Sequence, residues 1–143
     1  MPHYSTKLFT GYSTCFRQWR ASHSHCQYLH GYALEFKVTF AGDLDERNWV
    51  MDFGAFKSNG IKEHLSYMFD HTTLIAADDP QIATFEKMAQ DGIIQLRILE
   101  HVGCEKFAEY VFNEFNERLS NHRLKVIKVE CFENNSNSAI FSI

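Results

Sequence analysis

The sequence predicts an α+β domain, an antiparallel β-sheet with helices packed on one face, from three observations. Leu34-Glu-Phe-Lys-Val-Thr-Phe40 alternates apolar and polar residues, the period of a half-buried strand. Between Cys104 and Leu119, Phe107, Ala108, Val111, Phe112, Phe115 and Leu119 recur at the i, i+3, i+4 spacing of one helix face. The full order reads β-β-α-α-β-α-β-β, which suits helices lying on one side of an antiparallel sheet.

The first strand spans about residues 4 to 16, a looser alternation of Tyr, Thr, Phe and Cys that pairs with residues 34–40 as a long hairpin. The basic, polar stretch Arg17 to Gln27 is then the connecting loop. Ala41 to Asn48 is a turn by composition, followed by a short apolar strand at Trp49 to Met51. Asp52 is a good N-cap for a helix that runs through Ile61, Leu65 and Met68, with Ser58-Asn-Gly60 as a point of interruption. A second short helix follows Pro80 and ends near Gly92, and residues 93–99 form a β-rich run. Leu124–Phe132 and Ser138–Ile143 close the chain as a strand pair joined by residues 133–137.

With 143 residues, 45% of them hydrophobic, the chain makes one domain over residues 1–143. A formal charge of −4 and a pI near 6.0 give no electrostatic reason to expect nucleic acid. The expected partners are small molecules and other subunits. The opening residues lack the apolar run of a secretory signal, and no stretch approaches the roughly 20 apolar residues that span a bilayer. A cytoplasmic protein with no membrane partner is expected, its four cysteines (Cys15, Cys26, Cys104, Cys131) reduced.

Chemistry concentrates in Ser22-His-Ser-His-Cys-Gln-Tyr-Leu-His-Gly-Tyr32 and in Asp70-His71. Imidazole moves protons and binds metals, a thiolate abstracts protons, and a carboxylate beside an imidazole fixes its tautomer. Cys26 sits among Arg17, Arg20 and several histidines, neighbours that favour a thiolate if they are close in space. His30 and Tyr32, two apart on a strand, face the same way. His23 and His25 add nearby nitrogens and Cys15 or Cys26 a sulfur, a donor set that zinc accepts. Solvated loop histidines are the competing reading for His23 and His25, and packing is the competing reading for Cys15, Cys104 and Cys131. From the residues alone, Glu105 reads first as a first-turn helix carboxylate and Glu133 as a turn residue.

In this order the pieces resemble the 6-pyruvoyl- and 6-carboxy-tetrahydropterin synthase family over nearly the whole chain. The residues that carry the resemblance are Cys26-Gln-Tyr-Leu-His30-Gly-Tyr32, Asp52-Phe-Gly54, Asp70-His71, Val102-Gly-Cys-Glu105-Lys106 and Glu133-Asn134. The resemblance implies a T-fold whose sheets join into a barrel in a homotrimer or hexamer, with pterin pockets at subunit boundaries. It implies Cys26 as the proton-abstracting thiolate, with Asp70 and His71 as acid-base partners. Glu133 would anchor the aminopyrimidine edge of the pterin and Glu105 would support it, whereas Gly103 stands where the family has threonine.

The implied substrate is 7,8-dihydroneopterin triphosphate, with Arg17, Arg20 and Lys37 as candidates for the phosphates. The implied products are 6-carboxytetrahydropterin, acetaldehyde and triphosphate, on the route to 7-deazaguanines and queuosine. The alternatives are a pyruvoyl-type lyase that eliminates triphosphate alone and a catalytically silent pterin-binding homologue. The family holds zinc with three histidines, and of these positions only His30 is histidine here. Phe16 and Tyr32 occupy the other two. Either the zinc is rebuilt from His30 with some of His23, His25, Cys15 and Tyr32, or it is gone.

Overall fold

Leu34, Phe36, Val38 and Phe40 share one face of a strand, and all four are fully buried in the computed structural model, which describes residues 3–119, 121 and 123–143. Burying each phenylalanine contributes roughly 2–3 kcal/mol, so this face forms the floor of the core. The strand, β2 (His30–Gly42), pairs antiparallel with β1 (His3–Phe16), from His3 opposite Gly42 to Phe16 opposite His30. A bulge between Phe9 and Tyr12, with Gly11 at φ +92°, resets the alternation of β1. Phe9, Tyr12, Thr14 and Phe16 are consequently all buried.

On the far side of β2, β5 (Leu124–Phe132) and β6 (Ser138–Ser142) continue the antiparallel pattern. On the other side of β1 lie β3 (Thr72–Ala76) and then β4 (Leu96–Leu99), both paired parallel. The order is β4-β3-β1-β2-β5-β6 in one curled sheet, mixed where the sequence predicts antiparallel pairing throughout. Parallel pairing requires a crossover. A helix α1 (Ile61–Phe69) leads into β3, and α2 (Ile82–Gln90) connects β3 to β4.

The third helix, α3 (Cys104–Leu119), lies against β5 and β6. Its apolar stripe buries Phe107, Ala108, Val111, Phe112 and Phe115 as its periodicity predicts. The Phe115 and Phe56 rings both stand 5.3 Å from Phe9, closing the core beneath the helix.

Two local predictions differ from the structure. Trp49–Met51 is not a strand. Asp45 Oδ1 accepts the N–H groups of Arg47 and Trp49, which curls the segment into a turn, while Val50 and Met51 drop into the core. The helix predicted from Asp52 through Met68 is interrupted at the expected Ser58-Asn-Gly60, and its first piece is a 3-10 turn, not α-helix. Asp52 caps a 3-10 turn over Phe53–Lys57, and Gly60 at φ +75° precedes α1. Among the described residues no helix is long and apolar enough to cross a membrane.

Candidate active site

The core face of the sheet runs out of helix cover at one end. There the alternation that buries Leu34 continues to Tyr32 and His30, that of β1 ends at Phe16, and that of β5 carries past Cys131 to Glu133. The first turn of α3 stands over this end with Cys104 and Glu105. Between sheet and helix lies a cavity of about 220 Å³ whose walls include Cys26, Tyr32, Glu105 and Glu133.

Cys26 is placed by a 3-10 turn, His25–Gln27. Ser24 Oγ accepts the Cys26 N–H at 3.1 Å, and the Gln18 N–H donates to the Cys26 carbonyl at 2.7 Å. The thiol is half-buried. Glu133 follows β5 directly and starts a turn closed by its own N–H to the Asn137 carbonyl at 3.0 Å, with Asn134 Oδ1 accepting from Ser136 and Asn137. The turn leaves Glu133 half-buried in the cavity wall.

Tyr32 is bonded to His30, hydroxyl to Nε2 at 2.7 Å, and its ring stacks on Phe16 at 4.2 Å and 15°. Burial, reinforced by the nearby Glu133 charge, pushes the Tyr32 phenol up to about 12, so it carries its proton at neutral pH. Phe16 is 2% exposed and offers no donor atom.

The zinc set suggested by the sequence does not come together. Among the described residues no three His, Cys, Asp or Glu side chains converge as a metal site requires. His23 and His25 are exposed loop residues. Cys15 pairs with Gly31 one step from the Phe16–His30 pair, which turns its side chain to the opposite sheet face, and it lines a different groove. His30 is bonded to Tyr32. The residues present do not fit the metal that the resemblance implies.

Asp70 and His71 form a true dyad, Oδ1 to Nδ1 at 3.0 Å. The His71 N–H donates to the Ser13 carbonyl and the Ser13 N–H donates to Asp70 Oδ1, and this local ladder holds His71 at φ +56°. The His71 side chain is 76% exposed and borders the outer groove with Cys15, Gly31 and Thr73, not the Cys26 cavity.

Arg17 is not at the cavity's service. One guanidinium edge forks onto Asp79, Nε at 2.8 Å and Nη2 at 2.6 Å, and Arg20 is paired with Asp78 at 3.0 Å. The hydrogen bonds from Arg17 hold the Asp79 carboxyl below the usual carboxylate range. Lys37 faces Glu130 across β5. The phosphate candidates are therefore engaged in or beside structural pairings.

Two cavity residues escape the sequence reading. The Gln18 side chain lies over Gly103, whose φ is +123°, and fills the space that a larger residue at 103 would need. Cys104, in the cavity wall, is a free thiol beside the buried Cys131 thiol, and hydrogen bonding between them together with burial pushes the Cys131 thiol far up. Gln18 lies in no recognisable motif, and the sequence reads Cys104 only as a packing residue, because each contact depends on a partner distant in the chain.

A small cavity at an open sheet end is thus walled in part by the Cys26 thiol and the Glu105 and Glu133 carboxylates. The 6-pyruvoyl tetrahydropterin synthase family model matches residues 6–142, and the chain belongs to that family. A 6-carboxy-5,6,7,8-tetrahydropterin synthase of Rickettsia typhi is 30% identical over 96 residues, 66% of this chain and 67% of the relative. Among solved structures, an uncharacterised protein of Wolinella succinogenes has a TM-score of 0.82 at 20% identity, covering 98% of this chain and 97% of that one. The 6-pyruvoyl tetrahydropterin synthase of Caenorhabditis elegans has a TM-score of 0.64 at 19% identity over 99% and 96%. These two likenesses establish the fold.

Proposed function

We propose that this protein is a lyase of the 6-carboxy-tetrahydropterin synthase type, acting on the side chain of 7,8-dihydroneopterin triphosphate in the Cys26 cavity. The observation that carries the reading is the placement of the Glu133 carboxylate and the Cys26 thiol in one cavity of about 220 Å³. A carboxylate accepts the two N–H donors of a 2-amino-4-oxo pyrimidine edge as a matched pair. With the ring held at Glu133 and supported by Glu105, the Cys26 thiolate takes a proton from the side-chain carbon. His71, its tautomer fixed by Asp70, moves the hydroxyl proton.

Cys26 and His71 belong to different grooves of one chain. The reading therefore requires that a neighbouring copy in a trimer or hexamer supply Asp70 and His71. No step is routed through a metal, because the residues at the expected position do not fit one.

A second reading, a pterin-binding homologue without turnover, is favoured by the Phe16–Tyr32 stack. The two readings share Glu133. Pterin fluorescence quenching tests that shared step: 7,8-dihydroneopterin binds the wild type, and Glu133→Gln weakens it about ten- to hundredfold, the loss of a charge-assisted pair. Equal affinity in wild type and variant would remove Glu133 from the site.

A further inference from the structure

Three aromatic rings occupy the end of the sheet where the resemblance expects three metal-binding nitrogens. Phe16 is sealed from solvent and stacks 4.2 Å from Tyr32, and the Tyr32 and His30 rings stand 4.3 Å apart. Two of the three polar side-chain atoms of this layer satisfy each other, Tyr32 hydroxyl against His30 Nε2 at 2.7 Å, and only His30 Nδ1 lies outside that bond. A cation there would have to break that bond or settle for the single nitrogen His30 Nδ1, and would find carbon, not nitrogen, at position 16. The layer is nevertheless part of the cavity wall, since both Phe16 and Tyr32 border it with Cys26 and Glu133.

We propose that this chain dispenses with a metal at this position and that the Tyr32 hydroxyl, held by His30, receives a hydroxyl of the ligand's side chain there. The inference rests on the pterin reading and adds to it the residue that meets the hydroxyl-bearing side chain. A phenol bonded to an imidazole has one donor and one acceptor in use between the two partners. If His30 Nε2 carries the proton and donates to the Tyr32 oxygen, the phenol O–H is free to donate to a side-chain oxygen. In the other tautomer the phenol donates to His30 and its oxygen accepts from the ligand's O–H. Either way the pair meets a neutral hydroxyl with matched partners. Phe16 fixes the ring plane, and the contact is not made by a pterin that lacks a side chain.

The test has two arms on the purified full-length oligomer. In the first, zinc is measured by elemental analysis after growth in zinc-supplemented medium and then titrated against a chromophoric chelator. The wild type is expected to hold far less than one zinc per chain. The Phe16→His/Tyr32→His double variant gains a stoichiometric site, and Tyr32→His alone, which leaves the buried Phe16 untouched, gains a weaker one. One zinc per chain in the wild type, lost in His30→Ala, would overturn the proposal.

In the second arm, Tyr32→Phe weakens 7,8-dihydroneopterin about five- to tenfold, the loss of one hydrogen bond, and leaves unsubstituted pterin unchanged, whereas Glu133→Gln weakens both. Equal effects of Tyr32→Phe on the two ligands, or none, would overturn the tyrosine's role. Failure of the wild type to bind either pterin would overturn the pterin reading itself, and the zinc arm would still decide whether a metal is held.

Discussion

Arg17 and Asp79 form a two-pronged ion pair across 62 residues of sequence, with the Asp79 side chain 1% exposed and the Arg17 side chain 21%. The pair ties the strand end that leads into the Cys26 loop to the turn before α2. Removing one partner from a buried pair leaves the other uncompensated. Arg17→Ala is expected to destabilise the protein by about 3 kcal/mol, the low end for a buried pair because Arg17 keeps some water. Urea unfolding checks it.

The same pair gives a pH dependence with a definite sign. The Asp79 carboxyl is held below its ordinary value by Arg17. Its contribution to stability is therefore complete above the unfolded aspartate value of about 4 and is lost as pH falls through the lower folded value. Thermal unfolding between neutral and strongly acid pH should show the wild type losing more stability in that acid range than Asp79→Asn does. Parallel curves would mean that the pair contributes nothing of the kind.

Gly103 precedes α3 at φ +123°, a backbone conformation that residues with a Cβ rarely adopt, and an added Cβ would collide with the flexible end of Gln18. Gly103→Ala should destabilise by about 1–3 kcal/mol from the backbone alone. Because the Gln18 amide can swing aside, Gln18→Ala should not rescue it. A double-mutant cycle in urea distinguishes backbone strain from collision, and full rescue would show that collision dominates.

Much of the fold and part of the site are legible in the sequence. Leu34–Phe40 and the α3 stripe carry unambiguous periods, and Cys26, Glu105 and Glu133, read as an ordered set, do meet in one cavity. The missed strand β3 has five consecutive buried residues, so it shows no alternation to detect. The Arg17–Asp79 pair and the Gln18–Gly103 contact join residues distant in sequence, and no local pattern announces them. The His30–Tyr32 bond is local, yet only its geometry shows that the two side chains satisfy each other instead of awaiting a metal. The Asp70-His71 dyad was visible as a pair, but which sheet face it serves follows from strand register.

That register makes a prediction about assembly. If Cys26 of one copy works with His71 of another, Cys26→Ala and His71→Ala are each inactive alone. Oligomers formed by co-expressing the two variants regain activity, because random mixing leaves about a quarter of two-copy sites intact. No recovery in verified mixed oligomers would place both residues in sites built from a single copy, or exclude one of them.

The central claim, that the Cys26 cavity is a pterin lyase site, is tested most directly by mass-spectrometric turnover of 7,8-dihydroneopterin triphosphate by wild type and Cys26→Ala, each after exhaustive chelation. The account predicts 6-carboxytetrahydropterin, acetaldehyde and triphosphate from the chelated wild type, and bound but unconverted substrate from Cys26→Ala. Absence of product from a wild type that binds the substrate, or equal turnover by Cys26→Ala, would contradict it.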